Sequence, residues 1–164
     1  MKYALLAAAL GLAACATGPA HALQQGQPAP AAVVEQLKDT PITHIGTQSV
    51  RAVPAAPPAA SGDKRAQAAV APQGSTLVVR EGDNLVGISA HELVIVTPEL
   101  DAVAAKVASL QLPGASTKSY PQLQLLIVKT ARFEQLQTVR DQVAAAFPQA
   151  QFDLPVTYFP RKPR

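Results

Sequence analysis

The stretch Glu92-Leu93-Val94-Ile95-Val96-Thr97-Pro98 decides the fold. Four consecutive apolar residues, three of them β-branched, are too short a run for a helix and carry no polar face. That is the pattern of a strand in the middle of a sheet. Thr97 is placed to cap a following helix and Pro98 to occupy its first position. Leu100, Val103, Ala104, Val107 and Leu110 then recur at helical spacing and form one apolar stripe, which Pro113-Gly114 ends. Ala115–Ser119 reads as a short polar strand, and Tyr120-Pro121 turns the chain into a second apolar run, Leu123–Thr130. Phe133, Leu136, Val139, Val143, Ala146 and Phe147 mark a second amphipathic helix, closed by Pro148. Phe152, Leu154, Val156 and Tyr158 alternate with polar residues, the period of a half-buried strand over 150–159.

The order from Glu92 is therefore β-α-β-β-α-β. Right-handed crossovers fold such a chain into a ferredoxin-like α+β domain, a four-stranded antiparallel sheet with two helices on one face. The two continuous apolar runs belong in the centre of that sheet. The polar 115–119 and the Pro155-containing last strand belong at its edges, where a missing N–H donor is tolerated. Two helices cover one face only, so the second face needs a cover. Upstream, Thr76–Arg80 and Leu85–Ile88 flank Glu81-Gly82-Asp83-Asn84 and read as a β-hairpin. Either that hairpin or a partner protein is the cover.

The chain has 164 residues, enough for one domain with a modest core, and only 15% of them are charged. The formal net charge is +3, and three basic residues lie in the last four positions, Arg161-Lys162-Pro163-Arg164. The rest of the chain is neutral, so the charge describes a cationic tail and not a nucleic-acid surface. The single cysteine excludes an internal disulfide and a thiolate zinc site.

Lys2 followed by the apolar run Tyr3–Ala14 reads as a signal peptide over residues 1–22, which directs the chain to the periplasm or the exterior. Two processing sites are open. Leu12-Ala13-Ala14-Cys15 has the form of a lipobox, which would lipidate Cys15 and anchor the protein to the outer membrane. Ala20-His21-Ala22 has the form of an ordinary release site. Residues 23–74 hold most of the eight prolines found between Pro19 and Pro72, with abundant Ala, Gln and Gly, and read as a disordered linker. Within it, Val33–Leu37 could form one short helical or docking segment. The organisation expected is a signal peptide (1–22), a linker (23–74), the hairpin with the α+β domain (75–160) and the basic tail (161–164).

No catalytic or metal-binding motif emerges, and no cofactor site is expected. His91-Glu92 opens like a helical zinc motif, but position 95 is Ile95. Ser89, His91 and Asp101 lack the context of a triad. Glu99 and Asp101 fit a first helical turn, where the helix dipole accounts for them.

Two resemblances follow. Val79–Ser89 is similar to the opening of a LysM peptidoglycan-binding repeat, and SPOR domains share the β-α-β-β-α-β layout. Both imply the alternative of a cell-envelope lipoprotein that binds peptidoglycan. The region from Glu92 to Arg164 more closely resembles the propeptides of subtilisin-like serine proteases (the inhibitor I9-like domain) and the external chaperones of kexin-like subtilases. The likeness rests on the two strand-helix units, the strand at 150–159 and the tail that runs on from it. It implies a non-enzymatic, exported chaperone and inhibitor whose partner is a subtilisin/kexin-like serine protease. In that family the open sheet face packs on the protease and the tail enters the active-site cleft. The resemblance then assigns protease contact to Tyr158, Phe159, Pro160, Arg161, Lys162, Pro163 and Arg164, with Arg164 in the S1 pocket and Arg161 in the S4 pocket. Arginine suits carboxylate-lined pockets because its guanidinium pairs with them in a bidentate manner.

Overall fold

The computed structural model describes residues 23–54 and 71–159. The signal segment with Cys15, the Pro/Ala-rich stretch beyond Pro54 and the tail from Pro160 lie outside these residues. Among the described residues, three α-helices and nine strands form an α+β fold with two antiparallel sheets.

The first sheet grows from the two apolar runs. Strands β5 (Glu92–Val96), β6 (Ser116–Tyr120), β7 (Leu125–Lys129) and β8 (Gln151–Asp153) lie in the order β6-β7-β5-β8, every pair antiparallel. The apolar runs take the two central places and the polar strand an edge, as their compositions require. Helix α2 (Leu100–Ser109) follows β5, and helix α3 (Glu134–Ala146) follows β7. Side chains alternate along each strand, so Leu93, Ile95, Leu126 and Val128 share one face. They are buried against Val103, Val107, Leu136, Val139 and Val143 of the helices. The boundaries of α2 differ slightly from those expected. Thr97 Oγ1 accepts a hydrogen bond from the Glu99 amide (3.2 Å), so the helix begins at Leu100 and not at Pro98. It ends at Ser109, before Pro113-Gly114, because Gln111 already adopts a left-handed conformation.

The last strand is not one strand. β8 stops at Asp153, and Val156–Thr157 form a separate strand, β9, which pairs in the other sheet. Pro155 has no N–H with which to continue the first ladder, and the chain crosses between sheets there. The alternation of Phe152, Leu154 and Val156 survives the crossing, because all three pack on the same core.

The second sheet corrects the reading as a linker for the described part of residues 23–74, namely 23–54 and 71–74. Residues 55–70 lie outside the described residues, and the short helical segment expected at Val33–Leu37 is met by α1. Ala31–Gln36 form α1, followed by β1 (Ile42–Ile45) and β2 (Gln48–Ala52). β1 and β2 make a hairpin around the two-residue turn Gly46-Thr47. With β3 (Thr76–Arg80), β4 (Val86–Ser89) and β9 they form a five-stranded sheet in the order β1-β2-β3-β4-β9. Ile45, Val50 and Val78 are fully buried and join the helix-side core of the first sheet. Leu77, Val79 and Val86 form a second cluster with Ala29 and Leu37, and Val33 and Val34 of α1 pack against it. Arg51 fastens α1 to this sheet. Its Nη1 donates to the carbonyls of Leu37 (2.7 Å), Lys38 (2.6 Å) and Thr40 (2.9 Å), and its Nε to Glu81 (2.5 Å). The three carbonyls lie in the turn that follows α1, where the Leu37 carbonyl also accepts from the Thr40 amide (2.9 Å).

If residues 42–52 are structural, Ile45→Ala will lower unfolding stability by about 2–5 kcal/mol, the range for a fully buried large-to-small change. Urea denaturation followed by circular dichroism measures this. A linker position would show no change.

Candidate functional site

Alternation leaves a second face on the first sheet, and the pairing registers arrange it in three rows. Ser116, Lys129 and Glu92 form the first, and Lys118, Ile127, Val94 and Asp153 the second. Tyr120, Leu125, Val96 and Gln151 form the third. Its centre is apolar: Val94, Leu125 and Ile127 are half-buried and Val96 is 38% exposed. None of the four belongs to either buried cluster. The β3–β4 hairpin is therefore not the cover of this face; its apolar residues are spent on the two cores. Among the described residues, nothing packs over it.

The charges on this face are sorted by strand. β6 and β7 carry Lys118 and Lys129, whereas β5 and β8 carry Glu92 and Asp153. Lys129 Nζ lies 3.7 Å from Glu92 across the centre, and Lys118 Nζ stands 5.0 Å from the centroid of the Tyr120 ring. The result is an apolar stripe with a basic flank and an acidic flank.

A second feature is the anchored C-terminal segment. β9 pairs with β4 through Ile88–Thr157 and Ser89–Val156. The Tyr158 hydroxyl donates to Gln48 Oε1 (2.9 Å), and the Arg80 guanidinium sits 4.4 Å from the Tyr158 ring centroid. Arg80 is itself held by Asp83, with Nε to Oδ1 at 3.0 Å and a second bond from Nη2 to Oδ2. The Gln25 side-chain Nε2 also donates to the Thr157 carbonyl (2.7 Å). Gly87 is required here, because a Cβ would overlap Val156 and reach within 2.9 Å of the Tyr158 ring.

Of the residues assigned to protease contact, Tyr158 thus turns inward, where it fixes the 156–158 segment to the second sheet. Phe159 is 69% exposed at the point of exit. Pro160, Arg161, Lys162, Pro163 and Arg164, and the lipidation candidate Cys15, lie outside the described residues. The anchoring residues Gln25, Gln48 and Arg80 had no signal in the sequence. Each is a common polar residue far from position 158, and only the pairing of β4 with β9 brings them together.

His91 joins the two sheets. It is buried with φ near 58°, its Nε2 lies 2.8 Å from Thr76 Oγ1, and its carbonyl accepts from the Thr130 amide (3.0 Å). Ser89 Oγ accepts from the His91 backbone amide, not from the ring (3.3 Å). Asp101 is exposed on α2. These three residues form no relay.

No family model, no curated protein and no solved structure matches the chain. Among the described residues no helix is long and apolar enough to cross a membrane.

The anchor has a pH signature. Hydrogen bonding from Arg80 chiefly holds the Asp83 carboxyl down at about 2, against its ordinary value of 3.8. A depressed carboxylate contributes stability above its unfolded pKa, and loses it as pH falls through the folded value. The pairing should therefore be intact above about pH 4 and lost as pH falls towards 2. Side-chain NMR titration should give an Asp83 midpoint near 2. Arg80→Ala should return it towards the ordinary value; an unchanged midpoint would show that Arg80 is not the cause.

Proposed function

We propose that the protein is an exported external chaperone and inhibitor of a subtilisin/kexin-like serine protease. The uncovered apolar face of β5–β8 carries this reading. An apolar stripe of three half-buried residues and the exposed Val96, with no element packed over it among the described residues, is suited to an interaction surface, since water contact with apolar area is unfavourable. The strand order β6-β7-β5-β8 with α2 and α3 on the opposite face supports a ferredoxin-like, propeptide-like domain. In that reading the open face seats on surface helices of the protease and templates its folding.

The C-terminal anchor supports the second half of the proposal. β9 and Tyr158 bring the chain to a fixed exit at Phe159, beside which the basic tetrapeptide begins. A tail launched from a fixed point loses less entropy on docking than one launched from a free end. Arg164 and Arg161 then occupy S1 and S4 of a carboxylate-lined cleft, and Pro160 and Pro163 stiffen the basic tetrapeptide. The chain acts by binding and needs no cofactor; its contact with a membrane runs only through a lipid on Cys15, if the lipobox is used. The alternative is a peptidoglycan-binding envelope lipoprotein: its SPOR-like form shares the same β-α-β-β-α-β layout, whereas its LysM-like stretch, Val79–Ser89, is built as the β3–β4 hairpin.

Co-expression with a subtilase that lacks its own propeptide tests the proposal. Active protease should appear only with the chaperone present. Val96→Asp on the face should reduce the yield of folded protease at least tenfold. Deleting 161–164 should leave the yield and raise the inhibition constant by a hundredfold or more. A yield indifferent to both the chain and Val96→Asp would overturn the reading.

A further inference from the structure

The open face is complementary to itself. A two-fold axis in the plane of the interface, parallel to the strands, lays a second copy on the first with strand order reversed. β6 then faces the partner's β8, and β7 the partner's β5. Rows stay in register under this operation, because the axis leaves position along the strand unchanged. Lys118 meets the partner's Asp153, and Lys129 the partner's Glu92, from the row assignments of the pairing. Ile127 meets the partner's Val94, Leu125 the partner's Val96 and Tyr120 the partner's Gln151. Each charge pair occurs twice by symmetry, as an isologous interface demands. The other in-plane axis, across the strands, would place Lys118 on the partner's Lys118 and Asp153 on its Asp153. The charges therefore select one arrangement and oppose the other.

We infer that, without a partner, this protein associates into a face-to-face homodimer through the open sheet of β5–β8. The geometry is that of aligned sheet packing, with sheets about 10 Å apart. Four strands and three rows give a footprint of about 20 by 17 Å, below the standard size of a permanent interface. The dimer is accordingly weak and concentration-dependent, with a dissociation constant on the order of ten micromolar or more. The inference needs no protease. Combined with the proposed function, it means that the dimer conceals the protease-binding face and that a protease competes with the second copy for it.

Sedimentation velocity on the chain purified from the periplasm, with Cys15→Ser so that no lipid contributes, tests the dimer. The mean mass should rise towards that of two chains between about 1 and 300 micromolar, the range expected for a weak interface. Val96→Asp should hold it at the monomer value, with an unchanged thermal melt because Val96 is exposed. Lys118→Glu and Asp153→Lys should each weaken association at least tenfold. An equimolar mixture of these two variants should associate again, since each supplies the charges the other lacks, and the double variant should self-associate. A monomeric mass at every concentration would overturn the inference. So would a dimer indifferent to Val96→Asp and to both charge reversals.

Discussion

A sheet has two faces, and the two helices of this chain cover one. Everything else in the structure follows from how that asymmetry is resolved. Leu93, Ile95, Leu126 and Val128 bury one side of the central strands under α2 and α3. The same strands carry Val94, Val96, Leu125 and Ile127 on the other side, and there the chain supplies no cover among the described residues. Burial of apolar area is the main favourable term in folding. In the proposed reading, burial of that stripe is left to a binding event.

The rest of the chain is committed to a different task. The second sheet sends Ile45, Val50 and Val78 into the helix-side core and closes its own far face with α1 and Leu37. It therefore braces the domain from the side opposite the open face. It also receives the chain end: Pro155 releases the backbone from the first sheet, Leu154 fills the core at the crossing, and β9 with Tyr158 docks on β4. The two elements proposed to carry function, an open face and an exposed exit at Phe159, are thus set by the two buried clusters and by the crossing at Pro155 that links the sheets.

Much of the first sheet was legible in the sequence because its elements are long and periodic. The runs 92–97 and 123–130 and the stripes of α2 and α3 each carry four or more apolar positions in a single period. The second sheet was less so. β1 and β2 are short, their buried residues reduce to Ile45 and Val50, and both sit in a Pro/Ala/Gln-rich background that reads as linker. β2 pairs with β3, a partner 24 or more residues away, and β1 is held through β2; composition does not report such contacts. The alternation across 152–158 was read correctly as burial and incorrectly as one strand. Periodicity records which side faces the core, whereas Pro155 decides which sheet the backbone joins. The need for a cover on the second face is legible in the apolar runs, whereas the hairpin's failure to provide it depends on Leu77, Val79 and Val86 packing in the cluster with α1.

The central claim is that the stripe Val94–Val96–Leu125–Ile127 is a surface kept for a protein partner. Methyl NMR on the Ile, Leu and Val side chains, with an active-site-blocked subtilase lacking its propeptide as titrant, tests it most directly. The account predicts that the methyl signals of Val94, Val96, Leu125 and Ile127 shift or broaden together at stoichiometric protease, while Val103 and Val143 under the helices stay in place. Unchanged signals from these four residues, with perturbation confined to α1 and the five-stranded sheet, would contradict it.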